Sequence, residues 1–190
     1  MNILIVNNHP DKESFNVAIA SAFENEAKLA GHTVNTLNIT DLDFDPNLRF
    51  GYRKRTTLEP DLIKAQDMIR KASHIIWIYP VWWGGLPALA KGFMDRAFLP
   101  GFAWELTESD EPVGLLKGKT AQVITTMDAD IEEYQNLQNQ NINTNLEFIG
   151  LEVVKNTNFA PTSSASTEQI NLWLNEVKTL AQEIGKAVKV

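Results

Sequence analysis

The sequence predicts a doubly wound α/β fold, and three observations carry that prediction. Residues 1–8 and 74–79 contain continuous apolar runs, Ile3-Leu4-Ile5-Val6 and Ile75-Ile76-Trp77-Ile78, the pattern of parallel strands covered on both faces. Segments with apolar residues at helical spacing separate these runs from three weaker strand-like stretches, giving the alternation of a parallel sheet with helices on both sides. The loop leaving the run at 74–79, Val81-Trp82-Trp83-Gly84-Gly85, joins flat aromatic side chains to residues without a Cβ. Ligands of open α/β sheets bind beyond the carboxyl ends of the strands, where such a loop lies.

Residues 1–8 form the first, central strand. A polar loop then leads into a helix in which Phe15, Ile19, Ala22, Phe23 and Ala27 recur at helical spacing, with Ser14 as candidate N-cap and Gly31 as the stop. The start of a helix placed directly after a strand offers free N–H groups and partial positive charge to a phosphate, and His9 and Lys12 can add donors. Read alone, Ser14 is as readily a plain cap and His9 a solvent-facing residue. Neither GxGxxG nor GxxxxGK[ST] occurs, which weakens the dinucleotide and P-loop readings.

Residues 33–39 form the second strand, and 40–60 a long irregular connection whose Arg53-Lys54-Arg55 reads as solvated surface rather than a seat for nicotinamide phosphates. A helix follows at 60–73, with Leu62, Ile63, Gln66, Ile69 and Ala72 on or beside one face. The third strand, 74–79, ends at Pro80, and Pro87 suits the first turn of the next helix. Residues 107–118 form an acidic connection. The fourth strand, 119–126, ends in Thr125 and Thr126, which serve either as ligand donors or as a satisfied strand end. A helix at 132–148, a fifth strand at 152–159, and a turn at 162–166 complete the alternation. Thr167 is the expected cap of a last helix whose stripe from Ile170 to Ile184 makes Trp173 a core residue.

The chain has 190 residues, 44% of them hydrophobic, enough for one domain over 1–190 with a sizeable core. A net charge of −7 argues against an electrostatic grip on nucleic acid or anionic lipid. The absence of cysteine excludes disulfides, thiolate zinc sites and redox thiol pairs, and His9, His32 and His74 lack metal-ligand spacing, so no metal is expected. No apolar run has the length of a membrane span and no cleavable leader is legible, so a cytoplasmic location without membrane insertion is expected. A chain so poor in reactive side chains points to an organic cofactor as the carrier of any difficult chemistry.

The run from Tyr79-Pro80-Val81-Trp82-Trp83-Gly84-Gly85-Leu86-Pro87-Ala88 through Lys91-Gly92, Asp95-Arg96 and Gly101-Phe102-Ala103-Trp104 resembles the flavin-binding segment of the NAD(P)H:quinone oxidoreductase family, which has the flavodoxin-like fold. The loop residues His9, Ser14, Phe15 and Asn16 resemble the motif with which that family holds a flavin phosphate. The resemblance implies a five-stranded parallel sheet of order 2-1-3-4-5. It implies a flavin with its phosphate at Ser14, one ring edge on the backbone of Pro80, Val81, Trp82, Trp83 and Gly84, and the far edge on Thr125, Thr126, Met127 and Asp128.

The activity implied is a ping-pong transfer of a hydride from NAD(P)H through flavin N5 to a quinone-like, azo or nitroaromatic acceptor. FMN is the expected flavin, with FAD as the alternative, because the chain lacks room for the extra C-terminal domain of the mammalian members. Trp104 matches an aromatic that closes the pocket from a partner subunit, implying a homodimer, and Tyr134 roughly matches a pocket tyrosine with a part in catalysis. Two departures stand out. Met127-Asp128 replaces paired glycines, so Asp128 either faces the ring and disfavours negative charge there, or caps the following helix. The histidine that accompanies the family's tyrosine has no counterpart among Asn139, Gln140 and Asn141. A flavodoxin-type electron carrier and a flavin-binding regulatory subunit of a potassium-efflux system are the alternative readings.

Overall fold

A computed structural model describes residues 1–184; residues 185–190, the end of the expected single domain, lie outside the described residues. Strands β1 (Asn2–Asn7), β2 (Thr33–Asn38) and β3 (His74–Pro80) are joined through helices α1 (Phe15–Leu29) and α2 (Pro60–Lys71). Then come α3 (Ala88–Ala97), a short pair of strands β4 (Trp104–Leu106) and β5 (Pro112–Gly114), and β6 (Thr120–Thr126). Helix α4 (Glu132–Phe148), strand β7 (Glu152–Phe159) and α5 (Thr167–Glu183) finish the described fold.

The main sheet has the order β2-β1-β3-β6-β7 with every neighbouring pair parallel. This is the expected order 2-1-3-4-5 once the β4–β5 hairpin is counted. β1, β3 and β6 are buried almost throughout because they lie inside the sheet, which is why they read as continuous apolar runs. Helices α1 and α5 cover one face, where Ile3, Ile5, Phe23, Phe159, Trp173 and Val177 pack together. Helices α2, α3 and α4 cover the other, around Leu4, Val6, Leu62, Trp77, Phe93 and Leu146. Trp173 is core, as expected, with its ring 5.5 Å from that of Phe159 and 6.0 Å from that of Phe15.

Helix α1 stops where the sequence stops it. Gly31 takes φ +86°, and the N–H groups of Ala30, Gly31 and His32 turn back to the carbonyls of Glu26, Lys28 and Ala27, a closure that favours glycine at this position.

Three local expectations need correction. The connection at 40–60 is not wholly irregular, since Ile39–Asp41 and Gly51–Arg53 are single 3₁₀ turns. It is pinned from inside by Arg96, which is 1% exposed and donates to the carbonyls of Asp45 and Thr57 and to the Glu59 carboxylate. The acidic connection at 107–118 contains β5, paired antiparallel to β4 through Trp104–Gly114, Glu105–Val113 and Leu106–Pro112. Finally, Ser166 rather than Thr167 caps α5, its Oγ accepting from the Gln169 N–H at 3.1 Å.

Candidate functional site

The parallel arrangement sends the loops after β1, β3 and β6 to one edge of the sheet. Each is held there by backbone bonds across the strand ends. Asn8 donates its N–H to Ile78 O at 2.8 Å and its side-chain amide to Val6 O and Ile78 O. Val81 donates to Thr126 O at 2.8 Å, and Met127 to Phe159 O at 3.0 Å.

The loop after β1 winds on its own side chains. His9 N–H donates to Asn7 Oδ1, Asp11 N–H to His9 Nδ1 and Glu13 N–H to Asp11 Oδ1. It thereby delivers the start of α1, whose first N–H groups have no partner inside the helix. Because His9 Nδ1 accepts from Asp11, the neutral ring carries its proton on Nε2. Burial lowers its pKa below 6.5 and favours that neutral form, against the opposing pull of Asp11.

Between the loops lies a cleft of about 150 Å³. The first loop gives it His9, Phe15 and Asn16; the second gives Pro80, Val81 and Trp82; the third gives Thr126, Met127 and Asp128. Thr162, from the loop after β7, completes the lining and carried no signal in the sequence. Ser14 sits beside the cleft, at the cap position of α1, yet its side chain makes no capping bond. Its Oγ and Asn16 Nδ2 are buried without a hydrogen-bond partner, and Asn16 is 2% exposed. Unpaired buried polar atoms are costly. Two of them beside free helix N–H groups suit a phosphate, so the residues present fit the implied flavin phosphate.

The remaining expected site residues are placed unevenly. Lys12 is engaged by Asp41 at 2.5 Å. The Thr125 hydroxyl donates to Asn158 Oδ1 at 2.6 Å and that of Thr126 to Asn16 Oδ1 at 2.7 Å, so both are spent within the protein and are not free to meet flavin carbonyls. Of the two expected alternatives for Asp128, the cap of α4 is not the one adopted. Ile131, not Asp128, occupies the cap position of α4, and the Asp128 carboxylate accepts from Ser163 N–H at 2.7 Å and Thr162 Oγ1 at 3.2 Å. Those bonds, the backbone one of Ser163 first, hold its carboxyl below the usual carboxylate range.

Residues 82–85 form a tight two-residue hairpin, Trp82 and Gly85 exchanging both N–H···O bonds at 3.0 Å. Its centre, Trp83 at φ +49° and Gly84 at φ +74°, is left-handed at both positions, as a type I′ turn requires. Trp83 is fully exposed, whereas Trp82 lies against the His9 ring, edge to face at 5.5 Å. A Cβ built on Gly84 would lie 3.6 Å from Gln138 Nε2 and 3.8 Å from the Tyr134 hydroxyl, so Tyr134 and Gln138 reach the hairpin from α4. Tyr134 is half-buried and Gln138 only 4% exposed.

Trp104 is not brought to this cleft. It packs between Tyr52 and Phe148, with ring centroids at 6.2 and 5.8 Å, beside a separate cavity of about 200 Å³. The basic cluster is also elsewhere, with Lys54 and Arg55 beside Leu99 and Pro100. Among the described residues no group of His, Asp or Glu is arranged to hold a metal ion, and no helix is long and apolar enough to cross a membrane.

Comparison with known proteins agrees with this architecture. A family model described as a flavodoxin-like fold matches residues 1–180. A Haemophilus influenzae protein named an uncharacterized NAD(P)H oxidoreductase is 34% identical over 139 residues, covering 71% of this chain and 68% of the relative. The mouse ribosyldihydronicotinamide dehydrogenase [quinone] is 28% identical over 152 residues, covering 70% of this chain and 65% of the relative, so the match spans slightly less than two thirds of that protein. An FMN-dependent NADH-azoreductase from Bacillus anthracis, solved with FMN, superimposes with TM-score 0.74 at 19% identity, over 97% of this chain and 99% of its own. The chain belongs to the flavodoxin-like fold family, and its resemblance to NAD(P)H:quinone oxidoreductases is borne out by the relatives that carry those names.

Proposed function

We propose that this chain is a flavin-dependent NAD(P)H oxidoreductase that holds FMN in the cleft between the loops after β1, β3 and β6 and reduces a small quinone-like acceptor. The observation that carries the reading is the pair of buried, unpartnered polar atoms, Ser14 Oγ and Asn16 Nδ2, beside the free N–H groups of α1. The names of the Haemophilus and mouse relatives support the reaction class.

Bound FMN supplies two-electron transfer between NAD(P)H and the acceptor. The protein's part is to bind, orient and exclude water. The start of α1 neutralises phosphate charge. His9, whose neutral ring carries its proton on Nε2, lines the cleft, and residues 80–82 make a wall for a flat group. Asp128, tied to Ser163, keeps its charge at the rim.

FMN is favoured over FAD by the surface beyond the cleft. There a groove of about 470 Å³ is bordered by Asp130, Ser164 and Trp173, with no basic residue on its lining to pair a second phosphate. The B. anthracis protein of the same fold binds FMN. We extend the reading to a homodimer, in which a second copy covers exposed apolar side chains such as Leu106 and Phe148.

The test is turnover. Protein reconstituted with FMN and mixed with NADH or NADPH and 1,4-benzoquinone should oxidise the nicotinamide in alternating half-reactions. A protein that binds FMN but oxidises neither nucleotide would be a carrier or a regulatory subunit, and the reading would fail.

A further inference from the structure

Arg53, Lys54 and Arg55 stand side by side in a chain of net charge −7, and among the described residues no ion pair engages any of them. Carboxylates of the same connection are spent elsewhere, Asp41 on Lys12, Asp45 on Arg49 and Glu59 on Arg96. Arg53 and Lys54 lie instead over the Phe50 ring, 6.0 and 5.0 Å from its centroid, near enough for cation–π attraction. Neighbouring like charges repel, and a bound anion would relieve that repulsion.

The sequence reads this run as solvated surface, but the structure gives two of its members a cavity in common. A space of about 140 Å³ lies between the segment 48–56 and the end of α3. Leu48, Tyr52, Leu99 and Pro100 line it with apolar surface, and Lys54 and Arg55 bring charge to it. Thr56 is also on the lining, and its Oγ1 is buried without a hydrogen-bond partner, a costly state for a hydroxyl.

The walls are fixed by the protein's own bonds. The N–H groups of Gly51 and Arg53 donate to the carbonyls of Leu48 and Phe50 at 2.9 and 3.3 Å. Just beyond Thr56, the buried Arg96 holds the Thr57 carbonyl and the Glu59 carboxylate. The cavity shares no lining residue with the cofactor cleft.

We propose that this cavity is a second binding site, for a compact aromatic carboxylate. A space of roughly 150 Å³ takes one benzene ring, and the apolar lining suits the ring faces. The carboxylate would meet Lys54 and the planar fork of Arg55, which matches two carboxylate oxygens, with the Thr56 hydroxyl as a further donor. A bare anion or an uncharged ring satisfies only half of such a lining. The site does not depend on the flavin reading.

Calorimetric titration of the purified protein with benzoate, benzamide and inorganic phosphate is the test. Benzoate should bind once per chain with a Kd of about 1 mM or tighter. Benzamide keeps the shape without the charge, and phosphate the charge without the ring; each should bind at least about tenfold more weakly. Arg55→Gln should weaken benzoate about tenfold, Arg55→Lys should recover part of the loss, and Thr56→Val should weaken it about threefold. Thermal melts should show each variant folded.

No saturable binding of benzoate, or equal affinity for benzamide or phosphate, would overturn the proposal. Benzoate binding that Arg55→Gln leaves unchanged, or that FMN abolishes, would put the probe elsewhere and overturn it too. A protein that binds benzoate as described but takes up no flavin would defeat the function proposed above and leave this site standing.

Discussion

The two edges of the main sheet are built from the same strands and differ in how they treat their polar groups. At the amino edge the chain closes on itself. Ser73 Oγ donates to Asn2 O and accepts from Asn2 N–H, Asn2 Nδ2 donates to Lys71 O, and Lys119 Nζ covers the carbonyls of Arg70 and Ala72 at the end of α2. At the carboxyl edge Ser14 Oγ and Asn16 Nδ2 are left unpaired, and Trp83 is held in a left-handed conformation with its side chain in solvent. The amino edge is largely closed by the protein's own bonds, although His74 Nε2 is buried there without a partner; the carboxyl edge adds backbone strain and an open cleft to its unpaired atoms, as expected of a place completed by a ligand.

The largest expected effect tests the closed edge. His74, on β3, is buried, with Nδ1 2.6 Å from Thr120 Oγ1. Burial, helped by the nearby charge of His32, lowers its pKa from 6.5 to about 4. As pH falls through 6.5 the unfolded chain takes up a proton there and the folded chain does not. Stability is therefore full above that pH and is lost progressively down to about 4, by roughly 3 kcal/mol from this group. Urea unfolding at pH 7 and at pH 4.5 should show the loss in wild type, and it should shrink sharply in His74→Gln. An equal loss in both would remove His74 as the cause.

Next comes Gly84. At φ +74° any side chain strains the backbone, so Gly84→Ala should lower stability by about 1–2 kcal/mol without cofactor present, as denaturant melts of the flavin-free protein will show.

The two serines that begin α1 and α5 sharpen the contrast. Ser166→Ala removes a real capping bond and should lower stability by about 1 kcal/mol, measurable by melting. Ser14→Ala removes none. It should leave the flavin-free protein nearly unchanged while weakening FMN about tenfold in a fluorescence titration. The smallest effect is at Trp83, where Trp83→Asn supplies the Asn-Gly pair that type I′ turns favour and should raise stability by up to about 1 kcal/mol in the same melts.

What the sequence disclosed follows the same division. β1, β3 and β6 were legible because burial on both faces forces continuous apolar runs, and the loop at 80–85 because tryptophans beside glycines have few structural uses. The β4–β5 hairpin was not, since each strand has three residues and Leu106 points into solvent. Asp128 depends on Ser163, 35 residues away, and Gln138 on the sheet beneath α4. Such partners are set by tertiary packing, and one polar letter in a polar helix carries no trace of them. Thr125 and Thr126 were rightly placed at the edge, but their hydroxyl partners, Asn158 and Asn16, come from other elements.

We propose that a flavin completes the open edge, with its phosphate at Ser14 and Asn16. The direct measurement is a titration of the purified, flavin-free protein with FMN, followed by flavin fluorescence, in wild type and in Ser14→Ala. One FMN bound per chain, with affinity reduced about tenfold by the serine substitution, is the predicted result. A folded wild-type protein that takes up neither FMN nor FAD would contradict the account.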